Sequence, residues 1–83
     1  MLYMIEIHYT RQRRADMLEY FWQHGSTHYE GKVTIQGAWV ATQDQFAYAL
    51  VNADDDQEVE KACAPWREFG EVTIRQVTSS DEI

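Results

Sequence analysis

Residues 2 to 10, LYMIEIHYT, are rich in β-branched and aromatic residues and predict a first strand, with Tyr3, Ile5, Ile7 and Tyr9 on one side and Leu2, Met4, Glu6 and His8 on the other. The period then changes. In RRADMLEYFWQHG, Arg14, Met17, Leu18, Phe21 and Trp22 recur at helical spacing. Asp16 and Glu19 suit the positive end of that helix, and Gly25 is placed to end it. Residues 32 to 42, KVTIQGAWVAT, predict a second strand, and Gly37 inside it marks a bulge or a close backbone approach. A tight connection at Gln43 and Asp44 leads into a third strand, QFAYALVN, although the favoured hairpin glycine is missing. ADDD at 53 to 56 supplies the cap and the acids for a second helix, whose inner stripe is Val59, Ala62, Cys63 and Trp66. Pro65 ends or kinks its last turn. After Gly70, EVTIRQVT at 71 to 78 is a fourth strand, and the tail SSDEI is expected to fray.

The order β-α-β-β-α-β, with right-handed crossovers, predicts an α+β domain over residues 1–83. It is the ferredoxin-like plan, a four-stranded antiparallel sheet with both helices on one face. Alternation assigns Ile5, Ile7, Val33, Ile35, Trp39, Phe46, Tyr48, Leu50, Val72 and Ile74 to the helix-covered face. It leaves Met4, Glu6, His8, Thr34, Gln36, Ala38, Val40, Gln45, Ala47, Ala49, Val51, Thr73, Arg75 and Val77 on the other. Two helices cover one face only, and the second set is too apolar for a solvated surface. The expected cover is a second copy, giving a homodimer with facing sheets and room for a pocket between them. Covering roughly 500 Å² of apolar area contributes about 12 kcal/mol before association costs.

Composition narrows the partners. Fourteen acidic residues against seven basic ones give a formal charge of -7, which repels phosphate backbones and argues against nucleic acid. RQRR at 11 to 14 reads as a solvated helix start. No apolar run approaches the roughly 20 residues of a membrane span. Cys63 is the lone cysteine, so no intrachain disulfide forms, and this suits a reducing compartment. The expectation is a soluble cytoplasmic protein without a leader, a membrane segment or a cofactor.

Two clusters carry candidate chemistry. His24 and His28 lie four apart with Glu30 behind them, but Gly25 breaks the helix between the histidines, so a polar loop is expected and no metal is assigned. Glu6, His8 and Arg75 fall on one face of neighbouring strands, and Gln36 and Gln45 offer hydrogen bonds to a ligand. The expected pocket is Glu6, His8, Gln36 and Arg75. Any reaction there would be proton transfer, with His8 as base and Arg75 as anion stabiliser. The plainer reading is a structural Glu6–Arg75 pair. The aromatics and Cys63 are expected in the core.

The start MLYMIEIHY, Gly37 and Trp39 in strand two, FAYALV at 46 to 51, Asp54 to Asp56, and Trp66 resemble the dimeric α/β-barrel superfamily. Within it they resemble most a small bacterial family catalogued as a domain of unknown function. The resemblance covers roughly residues 1 to 78. Members of that family often carry a histidine just after the strand-two tryptophan, where this chain has Val40. The superfamily includes cofactor-free monooxygenases, polyketide cyclases, lactone isomerases and haem-handling enzymes, so the resemblance implies a homodimer that binds a small apolar or aromatic ligand. Fold alone does not make it an enzyme. The alternative is a non-catalytic homodimeric protein-interaction module.

Overall fold

The computed structural model describes residues 1–24, the His24 side chain apart, and residues 33–82. The strands are β1 (Leu2–Tyr9), β2 (Val33–Val40), β3 (Phe46–Ala53) and β4 (Gly70–Val77), and the helices are α1 (Arg14–His24) and α2 (Asp56–Cys63). The sheet is antiparallel in the order β2-β3-β1-β4, the strand arrangement of the ferredoxin-like fold. The His24, His28 and Glu30 stretch, and Gly25 with it, lies outside the described residues apart from the backbone of His24.

Local chemistry explains the element ends. Asp55 caps α2, its carboxylate accepting from the Glu58 N–H at 3.0 Å, and Asp56 and Glu58 occupy the first turn. Pro65 opens a 3-10 turn, Pro65–Glu68, and this ends the α-helix as expected. The β2–β3 connection is longer than the tight turn expected. It spans residues 41–45, and the Ala41 N–H donates to the Phe46 carbonyl at 2.9 Å. A two-residue turn needs residues that take positive φ, and Gln43 and Asp44 lack the glycine that does so readily. The tail is more ordered than expected. Ser80–Glu82 forms a 3-10 turn, tied by the Thr78 hydroxyl donating to Glu82 Oε2 at 3.2 Å.

The core lies between the sheet and the helices. Tyr3, Ile5, Ile7, Val33, Met17, Val59, Ala62, Cys63 and Trp66 are buried there, with Ile35, Val72 and Ile74 packed at its margin. Phe21 meets Trp66 edge-on at 5.3 Å between ring centroids. Burial pushes the Cys63 thiol up to about 12.

Three assignments are corrected. On β3 the buried residues are Ala47, Ala49, Val51 and Ala53, while Phe46, Tyr48 and Leu50 turn to the other face. The register explains this, because Ile5 pairs with Ala49 and Ile7 with Ala47, and cross-strand partners share a face. Alanines on a central strand leave room for the helices to approach. On β2 a register shift between Ile35 and Gly37 reverses the alternation, so Val40 packs against the core and Trp39, expected inside, is 56% exposed. Trp22 also leaves the expected core stripe, at 92% exposed, because it lies about 100° further round the helix than Phe21.

β1 is pinned to α2 by the Tyr3 hydroxyl, which donates to Asp56 Oδ1 at 2.7 Å. That bond, with burial, pushes the Tyr3 phenol up to about 12, against about 10 for an ordinary tyrosine. The folded state holds this proton more tightly than the unfolded state does. The stabilisation is therefore complete below about pH 10 and is lost as the pH rises towards about 12. A spectrophotometric titration of the folded protein should show a late phenolate step near 12, absent in Tyr3→Phe.

Candidate ligand-binding face

With the helices on one side, the other face of the sheet is uncovered among the described residues. Register places Leu2, Met4, Glu6 and His8 on it from β1, and Phe46, Tyr48, Leu50 and Asn52 from β3. β4 adds Glu71, Thr73, Arg75 and Val77, and β2 adds Thr34 and Trp39.

The aromatic rings of this face gather towards the end where β1 finishes and β3 begins. The His8 ring stacks on Phe46 with centroids 4.5 Å apart and planes 12° apart. Phe46 and Tyr48 follow at 6.3 Å and 13°. Trp39 stands opposite Tyr48 on the next strand. A Cβ built on Gly37 would lie 2.7 Å from Trp39 Cη2 and 3.0 Å from Cζ2, so the indole lies directly over this glycine. The bulge turns the tryptophan outward, and the missing side chain lets its ring lie along the strand.

Glu6, His8 and Arg75 do fall on this one face. Arg75 Nη1 lies 3.9 Å from Glu6 Oε2, with Arg75 the more exposed partner, a separation at which an ion pair contributes little to stability. Gln36 falls at the bulge on edge strand β2, with β3 between it and Glu6. It is therefore not a neighbour of the other three. Cross-strand neighbours depend on sheet order and on the bulge, neither of which residue spacing displays. Alternation carried through Gly37 puts Trp39 inside, and the apolar bulk of Phe46 and Tyr48 puts them inside too, although the small residues of β3 take the helix side. For Trp39 the glycine is the available signal.

An open cleft of about 550 Å³ lies at the end of β1, lined by His8, Thr10, Arg13, Arg67, Phe69 and Glu71 among others. Both guanidiniums are engaged. Arg67 Nη2 meets Glu60 Oε2 at 2.8 Å, and Arg13 stacks over Phe69 while contacting Asp16 at 3.5 Å. Among the described residues, no three His, Cys, Asp or Glu side chains are grouped as a metal site. Among them, too, no helix is long and apolar enough to cross a membrane.

Sheet order and helix placement define a ferredoxin-like α+β protein with one sheet surface left open among the described residues. The chain belongs to the family described as a domain of unknown function, DUF3303, whose model matches residues 1–83. The expected membership of a small ferredoxin-like family of unknown function is thereby borne out. No curated protein matches the sequence. Among solved structures, an uncharacterized NIPSNAP domain protein from Burkholderia xenovorans is similar, with a TM-score of 0.59 and 14% identity over 95% of this chain and 94% of that one. At that identity the likeness carries the chain path alone.

Proposed function

We propose that the protein is a homodimeric binding module whose open sheet faces pack towards each other and enclose a small apolar or aromatic ligand. The supporting observation is the face itself. Trp39, Phe46, Tyr48, Leu50, Met4 and Leu2 make it more apolar than simple alternation suggests, because β3 directs its large residues outward. Contiguous apolar surface of this kind marks an interaction site on a soluble domain. Glu6, His8 and Arg75 are the polar groups within reach of a ligand on it. The reading needs no cofactor. The charge of -7 sets nucleic acid aside, and the lone cysteine suits the cytoplasm.

Size-exclusion chromatography with light scattering at micromolar concentration should give twice the 9.8 kDa chain mass. The double substitution Trp39→Lys, Leu50→Lys should give a monomer with a native circular dichroism spectrum. A wild-type monomer under these conditions ends the dimer reading.

A second reading is favoured by Trp22, 92% exposed on α1. In it the dimer is a non-catalytic module that docks a protein partner through this helix. Trp22→Ala then abolishes partner capture while leaving the dimer and small-ligand binding unchanged.

A further inference from the structure

We infer that β4 is a second docking surface, on which another copy of this chain pairs strand to strand, antiparallel and centred on Thr73. The contact lies at the rim of the sheet and not on its face, so it goes beyond the face-to-face reading and does not depend on it.

Sheet order leaves β2 and β4 at the rims among the described residues. A free rim invites another strand, and bulges, prolines and lysines are the usual guards against it. β2 carries the bulge between Ile35 and Gly37. β4 has none of the three: it runs in unbroken register along β1, and Gly70–Val77 holds neither proline nor lysine. In an antiparallel ladder, bonded and non-bonded pairs alternate. The Thr10 N–H donates to the Phe69 carbonyl at 3.1 Å, and counting on from that pair turns the backbone groups of Glu71, Thr73 and Arg75 towards β1. Those of Val72 and Ile74 turn outward. Arg67 Nη1 meets the Val72 carbonyl at 3.5 Å, the outer limit of a hydrogen bond, so a backbone N–H arriving at the rim replaces it.

The strand is complementary to itself, and this identifies the occupant. Register centred on Thr73 sets Glu71 opposite the partner's Arg75, Val72 opposite the partner's Ile74, and Thr73 opposite the partner's Thr73. Opposite charges, β-branched residues and paired threonines are all favourable cross-strand neighbours. The outward N–H and C=O groups of Val72 then exchange bonds with those of the partner's Ile74. Glu71 and Arg75 fall in the non-bonded pairs, where side chains stand closer. Moving the centre to Val72 or Ile74 sets Glu71 opposite Thr73 or Val77 and loses the charge match. Within the chain Arg75 meets Glu6 only at 3.9 Å, so its guanidinium can serve the partner's Glu71 as well. The product is a continuous sheet of twice four strands with both open faces on the same side. A single strand edge offers less than the roughly 1,200 Å² of a stable interface, so the pairing is weak and shows at high concentration.

The test uses the intact chain in about 150 mM salt, which screens its charge of -7 beyond about 8 Å. Light scattering of wild type should give twice the mass at about 1 mM that it gives at about 10 µM. Over that range hydrogen exchange at the Val72 and Ile74 amides should slow about threefold. Those donors lie in the plane of the sheet and point away from β1, so facing sheets leave them untouched. The Trp39→Lys, Leu50→Lys chain, with its open face spoiled, should still pair at about 1 mM. In that background Glu71→Arg and Arg75→Glu should each weaken pairing about tenfold, and the two together should restore it. Thr73→Cys should there give a disulfide-linked dimer, because residues opposed in a non-bonded pair stand about 4.5 Å apart between Cα atoms. Equal mass at both concentrations overturns the inference. So does a double charge exchange that pairs no better than either single one. The face-to-face reading fails separately. Wild type that is a single chain at about 10 µM and pairs at about 1 mM, with Val72 and Ile74 slowed, removes the facing sheets and leaves the edge. Twice the chain mass at both concentrations removes the edge and leaves the facing sheets.

Discussion

Replacing Gly70 with alanine is expected to cost about 3 kcal/mol or more, a loss of about 15 °C in Tm. Gly70 opens β4 and pairs across with Tyr9. An added Cβ would lie inside the van der Waals envelope of the His8 carbonyl oxygen and 2.7 Å from Tyr9 Cα. Those atoms are backbone on a central strand, held between β3 and β4, and have nowhere to go. A chain of 83 residues has a total stability of about 4–12 kcal/mol, so the variant sits at the edge of folding. Thermal denaturation followed by circular dichroism checks this, and a loss below about 3 °C would contradict it. Gly37 is the contrast, since there the obstacle is the tip of an exposed side chain and the fold should tolerate the change.

The second large effect distinguishes the two faces of β3. Ala49 is fully buried beneath the helices, whereas its neighbour Tyr48 lies half-buried on the open face. Ala49→Asp places a carboxylate in the core without a partner and is expected to cost about 4 kcal/mol or more at neutral pH. Burial raises the folded-state pKa of that carboxyl, so the penalty shrinks as the pH falls to the unfolded value near 4. Tyr48→Asp is expected to keep a native circular dichroism spectrum and to lose the dimer. Guanidinium denaturation of both variants, with light scattering, checks the pair. The opposite order of damage would reinstate Tyr48 as a core residue.

That pair also marks how far the sequence could be read. On β1, Ile5 and Ile7 declare the inner side, so Glu6 and His8 were placed correctly. Val72 and Ile74 did the same for β4 and placed Arg75. On β3 the large residues Phe46, Tyr48 and Leu50 outweigh Ala47 and Ala49 in any count of apolar mass, yet the space under two helices favours the small ones. Hydrophobicity ranks side chains by their transfer from water and is blind to how near a helix must come. On β2 the bulge was legible as a glycine, but its position in the ladder was not, and the side taken by Trp39 depended on it. The aromatic cluster drew on both strands at once, and so it escaped the sequence while the Glu6–Arg75 pair did not.

Cys63 has a practical consequence. Sealed beneath the sheet and held protonated at neutral pH, it is silent towards maleimides and iodoacetamides. A cysteine introduced at Thr34 or Thr73 would then be the single labelling site per chain, without first removing the native one. Spin labels at those two positions would report directly how far apart two such surfaces stand in solution.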